Sequence, residues 1–450
     1  MTFWSFTAYL LLPYALWNLL WRGVRYRPYW NRWPERFGFV RSAGRQRIIW
    51  VHAVSVGEVR SSAPLVAALD QRYPEHRIHI TTMTPTGSEQ VRELFGDRVD
   101  HSYVPYDLPD AVSRFLDRIR PDLAVIAETE FWPNIFSACR RRGIPLFLVN
   151  VRVSQASLNG YLRAPRTIRA MLENADLICP QTEVDAERLR RLGAPADRIF
   201  VTGNLKFDVE LPESLLQEGA AVRQLWGRNR PVWIAASTHK GEEAQVLDAF
   251  ARLRANIPDL LLTVVPRHPE RFESVARLCE RRGYTIALRS VEHRELEPDV
   301  DIVVGDTMGE LQRLYAASDV AFVGGSLVRH GGQNILEACA VRVPVIFGPH
   351  MFHFEEIASL ALERGAAKQV RDSAELAEAV RTWLEQPELR RAAGEAAHSL
   401  MEDNHGALQR TLKLMDEKLA MLWHERGQQP FPGAEKGLVE AGGERTGANS

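Results

Sequence analysis

Residues 320–350 read VAFVGGSLVRHGGQNILEACAVRVPVIFGPH. An apolar β-rich run, Val320 to Val323, ends in Gly324-Gly325-Ser326, and a second glycine pair, Gly331-Gly332, leads into a helical pattern near Asn334 that carries Glu337 one turn in. This predicts a strand, a bare-backbone turn and a helix N-terminus. Free N–H groups and the positive end of a helix dipole attract phosphate, and a carboxylate one turn inside can bond ribose hydroxyls. The next apolar run, Val343 to Phe347, closes on Gly348-Pro349-His350, so a second loop reaches the same edge of a parallel sheet. Open α/β sheets bind ligands at that carboxyl edge.

Working outward, 450 residues with 45% hydrophobic and 25% charged content suffice for two substantial domains. A formal net charge of -1 argues against general nucleic-acid binding. The charge is nevertheless uneven: eight arginines against one acid, Glu35, lie between Arg22 and Arg47, directly after the uncharged run Phe3 to Leu20. Such a run approaches the roughly 20 residues that span a bilayer, and arginines on its C-terminal flank place the rest of the chain on the cytoplasmic side. The reading is a membrane anchor and basic flank over 1–30, spanning or lying in the interface of the inner membrane; a cleaved signal peptide fits less well, since no basic residue precedes the run. Cys139, Cys179, Cys279 and Cys339 lie far apart in apolar contexts and read as buried thiols. Residues 427–450, rich in Gly, Pro and charge, read as a disordered tail.

Between anchor and tail, apolar runs alternate with helical patterns, which predicts parallel α/β architecture. Residues 48–69 and 232–252 make the same opening move of strand, small-residue turn, Gly-Glu and helix. The expectation is two Rossmann-like lobes, 31–210 and 230–425, facing a central cleft, with Leu211 to Arg230 as linker. Neither G-x-G-x-x-G nor a P-loop occurs, and no clustered Cys/His set argues for a metal, so neither cofactor nor metal is expected.

Candidate chemistry therefore rests on carboxylates, bases and backbone. Glu58, at the strand-to-helix passage of HAVSVGE, fits a general base, although an acid there also serves as an ordinary helix cap; Ser55 fits an N-cap. Glu128-Thr129-Glu130 follows the strand Leu123 to Ala127, where paired carboxylates rarely serve packing. Lys206 stands beside a glycine turn, and Arg267 is presented by the rigid loop after Val264-Val265-Pro266; both suit an anion. Gly305-Asp306-Thr307-Met308-Gly309-Glu310 repeats the small-residue approach to a helix.

In order along the chain, HAVSVGE, TMTPTGSE, ETEFWPN, TGNLKFD, VPRHPERF, GDTMGEL and VGGSLVRHGGQNILEA resemble the 3-deoxy-D-manno-octulosonic acid (Kdo) transferases of lipopolysaccharide synthesis, from about Arg32 to about Gln409. The resemblance implies a GT-B fold, CMP-Kdo as donor and the lipid A precursor as acceptor. It implies Glu58 as general base and Glu128 and Lys206 as transition-state stabilisers. It places CMP contacts on Pro266, Arg267, Met308, Gly309, Glu310, Asn334, Ile335, Leu336 and Glu337. Where the family often has histidine after the glycine pair, this chain has Gln333. The implied reaction inverts the anomeric centre, and the basic segment would meet anionic headgroups at the membrane surface. A membrane-anchored GT-B transferase with another sugar nucleotide or acceptor is the alternative. A binding protein with decayed machinery is disfavoured by Glu58, Glu128 and Lys206 standing together.

Overall fold

The computed structural model describes residues 3–209, 211–212, 214–291 and 295–425. The expected tail at 427–450 lies outside them. The described residues divide into two compact units, one of residues up to 208 together with those from 406 onward, the other between 209 and 405.

The first unit is a six-stranded sheet of β1 (Arg47–His52), β2 (His76–Thr82), β3 (Asp100–Tyr103), β4 (Pro121–Ala127), β5 (Leu146–Val151) and β6 (Leu177–Pro180) in the order β3-β2-β1-β4-β5-β6. Every pairing is parallel. This is the Rossmann order, with its switch point between β1 and β4. Helices cover both faces, which is why β1 and β5 read as unbroken apolar runs rather than alternating ones. Apolar side chains from the two faces form separate cores, one around Trp50, Phe115 and Phe136, the other around Leu65, Val125 and Phe147.

The second unit holds β7 (Val232–Thr238), β8 (Leu261–Pro266), β9 (Ile286–Leu288), β10 (Ile302–Val304), β11 (Val320–Val323), β12 (Val345–Phe347) and β13 (Ala367–Gln369) in the order β13-β12-β11-β7-β8-β10-β9. It too is parallel throughout, and its order reverses between β7 and β11.

Two segments depart from the sequence reading. The proposed linker contains a helix, Leu215–Trp226, which buries Leu215, Val222 and Trp226 in the second unit. Gly219 permits this packing, since a Cβ there would lie 2.4 Å from the Cβ of Ala316. The segment reads as polar because only one face of the helix is apolar. The last helix, Ala407–Glu425, belongs to the first unit rather than to the second lobe that had been carried to residue 425. Leu408, Leu412, Met415 and Leu419 join the core beside Leu65, and Asp416 bonds Arg72 and Tyr73. Asp208 fixes the return by accepting from the N–H groups of Gly406 and Leu408, each at 2.6 Å.

The N-terminal run forms the helix Phe3–Arg25. Among the described residues no helix is long and apolar enough to cross a membrane. The helix is held on the first unit by the Ser5 hydroxyl, which donates to Asn134 Oδ1 at 2.8 Å, and by the Tyr9 hydroxyl, which donates to Asp110 at 2.6 Å. All four cysteines are buried and free, as the sequence suggests, and burial pushes each thiol up to about 12.

Candidate active site

Both switch points carry polar clusters. In the first unit, β1 hands over to the helix Val56–Ser61 through Ser55, which is its N-cap: the Ser55 hydroxyl oxygen accepts from Glu58 N–H at 3.3 Å. Glu58 answers with both oxygens, Oε2 accepting from Val54 N–H at 2.7 Å and Oε1 from the Ser55 hydroxyl at 2.9 Å. Glu58 therefore does cap the helix, as the plain reading of its position required. It does more, because the carboxyl is buried and faces other acids. Burial first, then the negative charges of Glu130 and Glu128, push Glu58 up to about 8 against the two hydrogen bonds that favour its ionised form.

Glu128 leaves the carboxyl end of β4, the neighbour of β1 across the switch point, with a left-handed backbone at φ 55°. Non-glycine residues adopt this region at a cost of roughly 1–3 kcal/mol, a cost found most often at functional sites. The strand stops at Ala127, so Glu128 and Glu130 are not presented by β alternation. Glu128 Oε1 instead meets the Ser61 hydroxyl at 3.2 Å and Lys206 Nζ at 3.9 Å. Lys206 rides on the short turn Leu205–Phe207, positioned by Asn150 Oδ1 accepting from Leu205 N–H at 3.1 Å and Asn204 Oδ1 accepting from Lys206 N–H at 3.0 Å. Glu130 accepts from the Trp132 indole N–H at 2.7 Å, and burial, partly offset by that bond, pushes its carboxyl up as well. The sequence-expected trio Glu58, Glu128 and Lys206 thus meets within the first unit, together with Ser61 and Glu130. The histidine of HAVSVGE belongs to the core: His52 is fully buried, bonds Thr81 Oγ1 at 2.9 Å and is pushed down to about 3 by burial. A cavity of about 610 Å³ near the amino ends of β1–β3 is lined by none of these groups.

In the second unit the expectation for the Gly324-Gly325-Ser326 turn needs correction. Its N–H groups are not free for phosphate. Glu242, with no exposed surface, takes them: Oε2 accepts from Gly325 N–H at 2.7 Å and from His239 N–H at 2.8 Å, while Oε1 accepts from Ser326 N–H at 3.0 Å and Leu327 N–H at 2.9 Å. Gly324 is required beneath this clamp, since a Cβ would lie 2.6 Å from Ser237 O and 2.9 Å from Glu242 Oε2. Sequence reading missed Glu242 because three of its four partners lie more than eighty positions away. The Gly-Glu repeat was the signal that could have found it.

The sequence-expected nucleotide residues gather on adjoining loops of this unit. Arg267, half-buried, follows Pro266 at the end of β8, its N–H bonded to Thr238 O at 3.0 Å. Met308 is 61% exposed, and Gly309 takes φ 81°. Glu310 pairs with Arg313 at 2.8 Å and Arg289 at 3.3 Å; its partial burial works upward, but the Thr307 hydroxyl and Arg289 outweigh it and hold the carboxyl low. Asn334 Oδ1 accepts from Leu336 N–H at 3.1 Å at the start of the short helix Leu336–Ala340, and its amide reaches Glu337 at 3.4 Å. Ile335 and Leu336 are buried and hold the turn to the core, so their side chains serve packing. Among the described residues no group of three or more His, Cys, Asp or Glu could hold a metal ion.

Two parallel-sheet Rossmann-like units, one with a perturbed carboxyl cluster at its switch point, are the architecture of a GT-B-like glycosyltransferase. Its class is confirmed by sequence: residues 235–400 match the profile of "Glycosyl transferases group 1" and residues 31–209 that of "3-Deoxy-D-manno-octulosonic-acid transferase (kdotransferase)". A 3-deoxy-D-manno-octulosonic acid transferase of Haemophilus influenzae is 41% identical over 397 residues, covering 88% of this chain and 92% of that protein. One from Bordetella pertussis is 39% identical over 419 residues, covering 90% and 96%. The chain belongs to the 3-deoxy-D-manno-octulosonic acid transferase family. Among solved structures it is similar to a UDP-GlcNAc 2-epimerase from Neisseria meningitidis at a TM-score of 0.52 and 15% identity, covering 82% of this chain and 99% of that one, a likeness of fold alone.

Proposed function

We propose that this transferase moves Kdo from CMP-Kdo to the lipid A precursor, lipid IVA, with inversion, and that Glu58 is the base. The observation that carries the reading is the raised Glu58 carboxyl standing with Glu128 and Lys206 at the switch point of the first unit. In the reaction an acceptor hydroxyl oxygen bonds to the anomeric carbon as the bond from that carbon to the cytidylate phosphate breaks, the electron pair leaving with CMP. The hydroxyl proton passes to Glu58. A base near pH 8 is well matched to this task, since its conjugate acid is stable enough to take the proton while a usable fraction stays ionised near neutrality. Positive charge growing on the sugar is stabilised by Glu128, and Lys206 keeps that carboxylate placed while offsetting phosphate charge. Arg267 and the loops around Met308 and Asn334 hold the cytidylate.

The N-terminal helix lies in the membrane interface on this account. Leu10, Tyr14, Trp17, Trp21 and Val24, all strongly exposed, recur at helical spacing along one stripe, opposite the Ser5 and Tyr9 tethers, and the arginines follow. Such a helix keeps the catalytic body at the cytoplasmic face of the inner membrane, where anionic headgroups meet the basic segment.

The test is incubation of the full-length protein with CMP-Kdo and lipid IVA, with UDP-sugars as competing donors, reading lipid products by mass. Product heavier by one or more Kdo units, and none from UDP-sugars, is expected. A UDP-sugar product, or no Kdo product from a folded protein, would overturn the assignment.

A further inference from the structure

We infer that His239 and His330 recognise the carboxylate of the donor's acid sugar, with Gln333 as the residue that positions His239; this deepens the proposed function and rests on it. An octulosonic acid joined to cytidylate presents two anions, a phosphate and a carboxylate on the anomeric carbon. The donor-side unit therefore needs two sets of hydrogen-bond donors. Arg267 meets the needs of one. The glycine turn after β11 cannot supply the other, because Glu242 already occupies its N–H groups.

What remains at this switch point is a group of imidazoles. His239 follows the carboxyl end of β7 and His330 lies in the loop after β11, the two strands between which the order reverses. Their rings stack at 4.3 Å with an 18° tilt, and His268, on the loop after β8, meets His239 edge-on at 5.5 Å. Gln333 Nε2 lies 3.2 Å from His239 Nε2. With the amide donating there, Nδ1 of His239 carries the proton and is the free donor. The ring is anchored from behind, since its backbone N–H is held by Glu242 and Ser237 two residues earlier adopts φ 53°.

Packing alone does not explain this group. His52 and His79 are structural: they are buried in the sheet and bond to Thr81 and Ser102. By contrast His330 and His268 are exposed at a loop edge and His239 lies just beneath them. Burial, followed by His330, His268 and Arg267, pushes His239 down to about 4, so it meets the donor as a neutral N–H. A neutral donor from His239 close to Arg267 favours a carboxylate without trapping any passing phosphate, which a cluster of full positive charges would do.

The experiment compares the KM for CMP-Kdo with the inhibition constant of CMP alone, in the full-length protein and in the variants His239→Ala, His330→Ala and Gln333→Ala. A hydrogen bond to a charged group sets the scale: KM for CMP-Kdo should rise roughly ten- to hundredfold in His239→Ala, with CMP inhibition changed by less than about threefold. His239→Gln, which keeps an N–H donor, should recover part of the loss. Gln333→Ala should give a smaller rise in the same direction. Parallel loss of CMP and CMP-Kdo affinity would assign these rings to the nucleotide or to folding, and no change in either would assign them to the surface; both overturn the inference. If His239→Ala does not fold, the exposed His330→Ala carries the same comparison. Wild type that forms no Kdo product at all contradicts the proposed function instead, so the two failures are distinguishable.

Discussion

The Gly57-Glu58 step of the first unit and the Gly241-Glu242 step of the second occupy the same place, after the strand that borders the switch point, yet their carboxylates have opposite surroundings. Glu242 accepts four backbone N–H bonds and has no exposed surface. Glu58 accepts one backbone N–H and one hydroxyl, and looks onto two further acids. The cause lies in where each helix begins. Ser55 caps its helix three residues ahead of Glu58, so Gly57 is already helical; Gly241, at φ 100°, is itself the cap, and Glu242 is the first helical residue, turned back toward the strand ends. A shift of helix start by two residues converts an acid that builds a turn into one available for proton transfer.

Substitution by glutamine breaks or sharpens this contrast. Glu58→Gln should keep the fold, because the amide can still accept from Val54 N–H and bond Ser55, while kcat falls roughly 10²–10⁴-fold, the usual worth of a general base; a steady-state assay alongside circular dichroism checks both. Glu242→Gln should do the reverse in kind. Its amide nitrogen would face two N–H groups, leaving them unsatisfied at about 1–3 kcal/mol each. A denaturant titration should show the loss in the second unit, with weakened CMP binding. Equal stability of the two variants would remove the distinction between the sites. Ser55→Ala is the mildest change, costing about 1 kcal/mol of cap energy. It also frees one Glu58 oxygen, so its activity should fall by far less than that of Glu58→Gln in the same assay.

The raised Glu58 carboxyl also has a stability consequence. Between about pH 4.5 and about 8 the folded state holds a proton that the unfolded chain has released. The contribution of this group is therefore fully present at low pH and is lost as pH rises through about 8. Thermal melts of wild type should decline over that window more steeply than those of Glu58→Gln.

Much of the fold was legible because buried parallel strands are continuous apolar runs, and Ile48–His52, Val232–Ala236 and Val320–Val323 could be little else. The first-unit cluster was legible for a related reason: Glu58, Glu128 and Lys206 each follow directly on such a run or a glycine turn. The Glu242 clamp was not, since a turn rich in glycine looks the same in sequence whether its N–H groups are empty or filled from a distant helix. Nor was the return of Ala407–Glu425 to the first unit, because an amphipathic helix announces an apolar face without naming the core it covers.

The most direct test is the pH dependence of kcat/KM for Kdo transfer, with Glu130→Gln beside wild type. Wild-type activity should rise with pH and level off above about 8, as the Glu58 carboxyl ionises. Removing the Glu130 charge should move that inflection to lower pH. A profile flat from pH 6 to 9 on the order of the assay error, or an inflection unmoved by Glu130→Gln, would contradict Glu58 as the base.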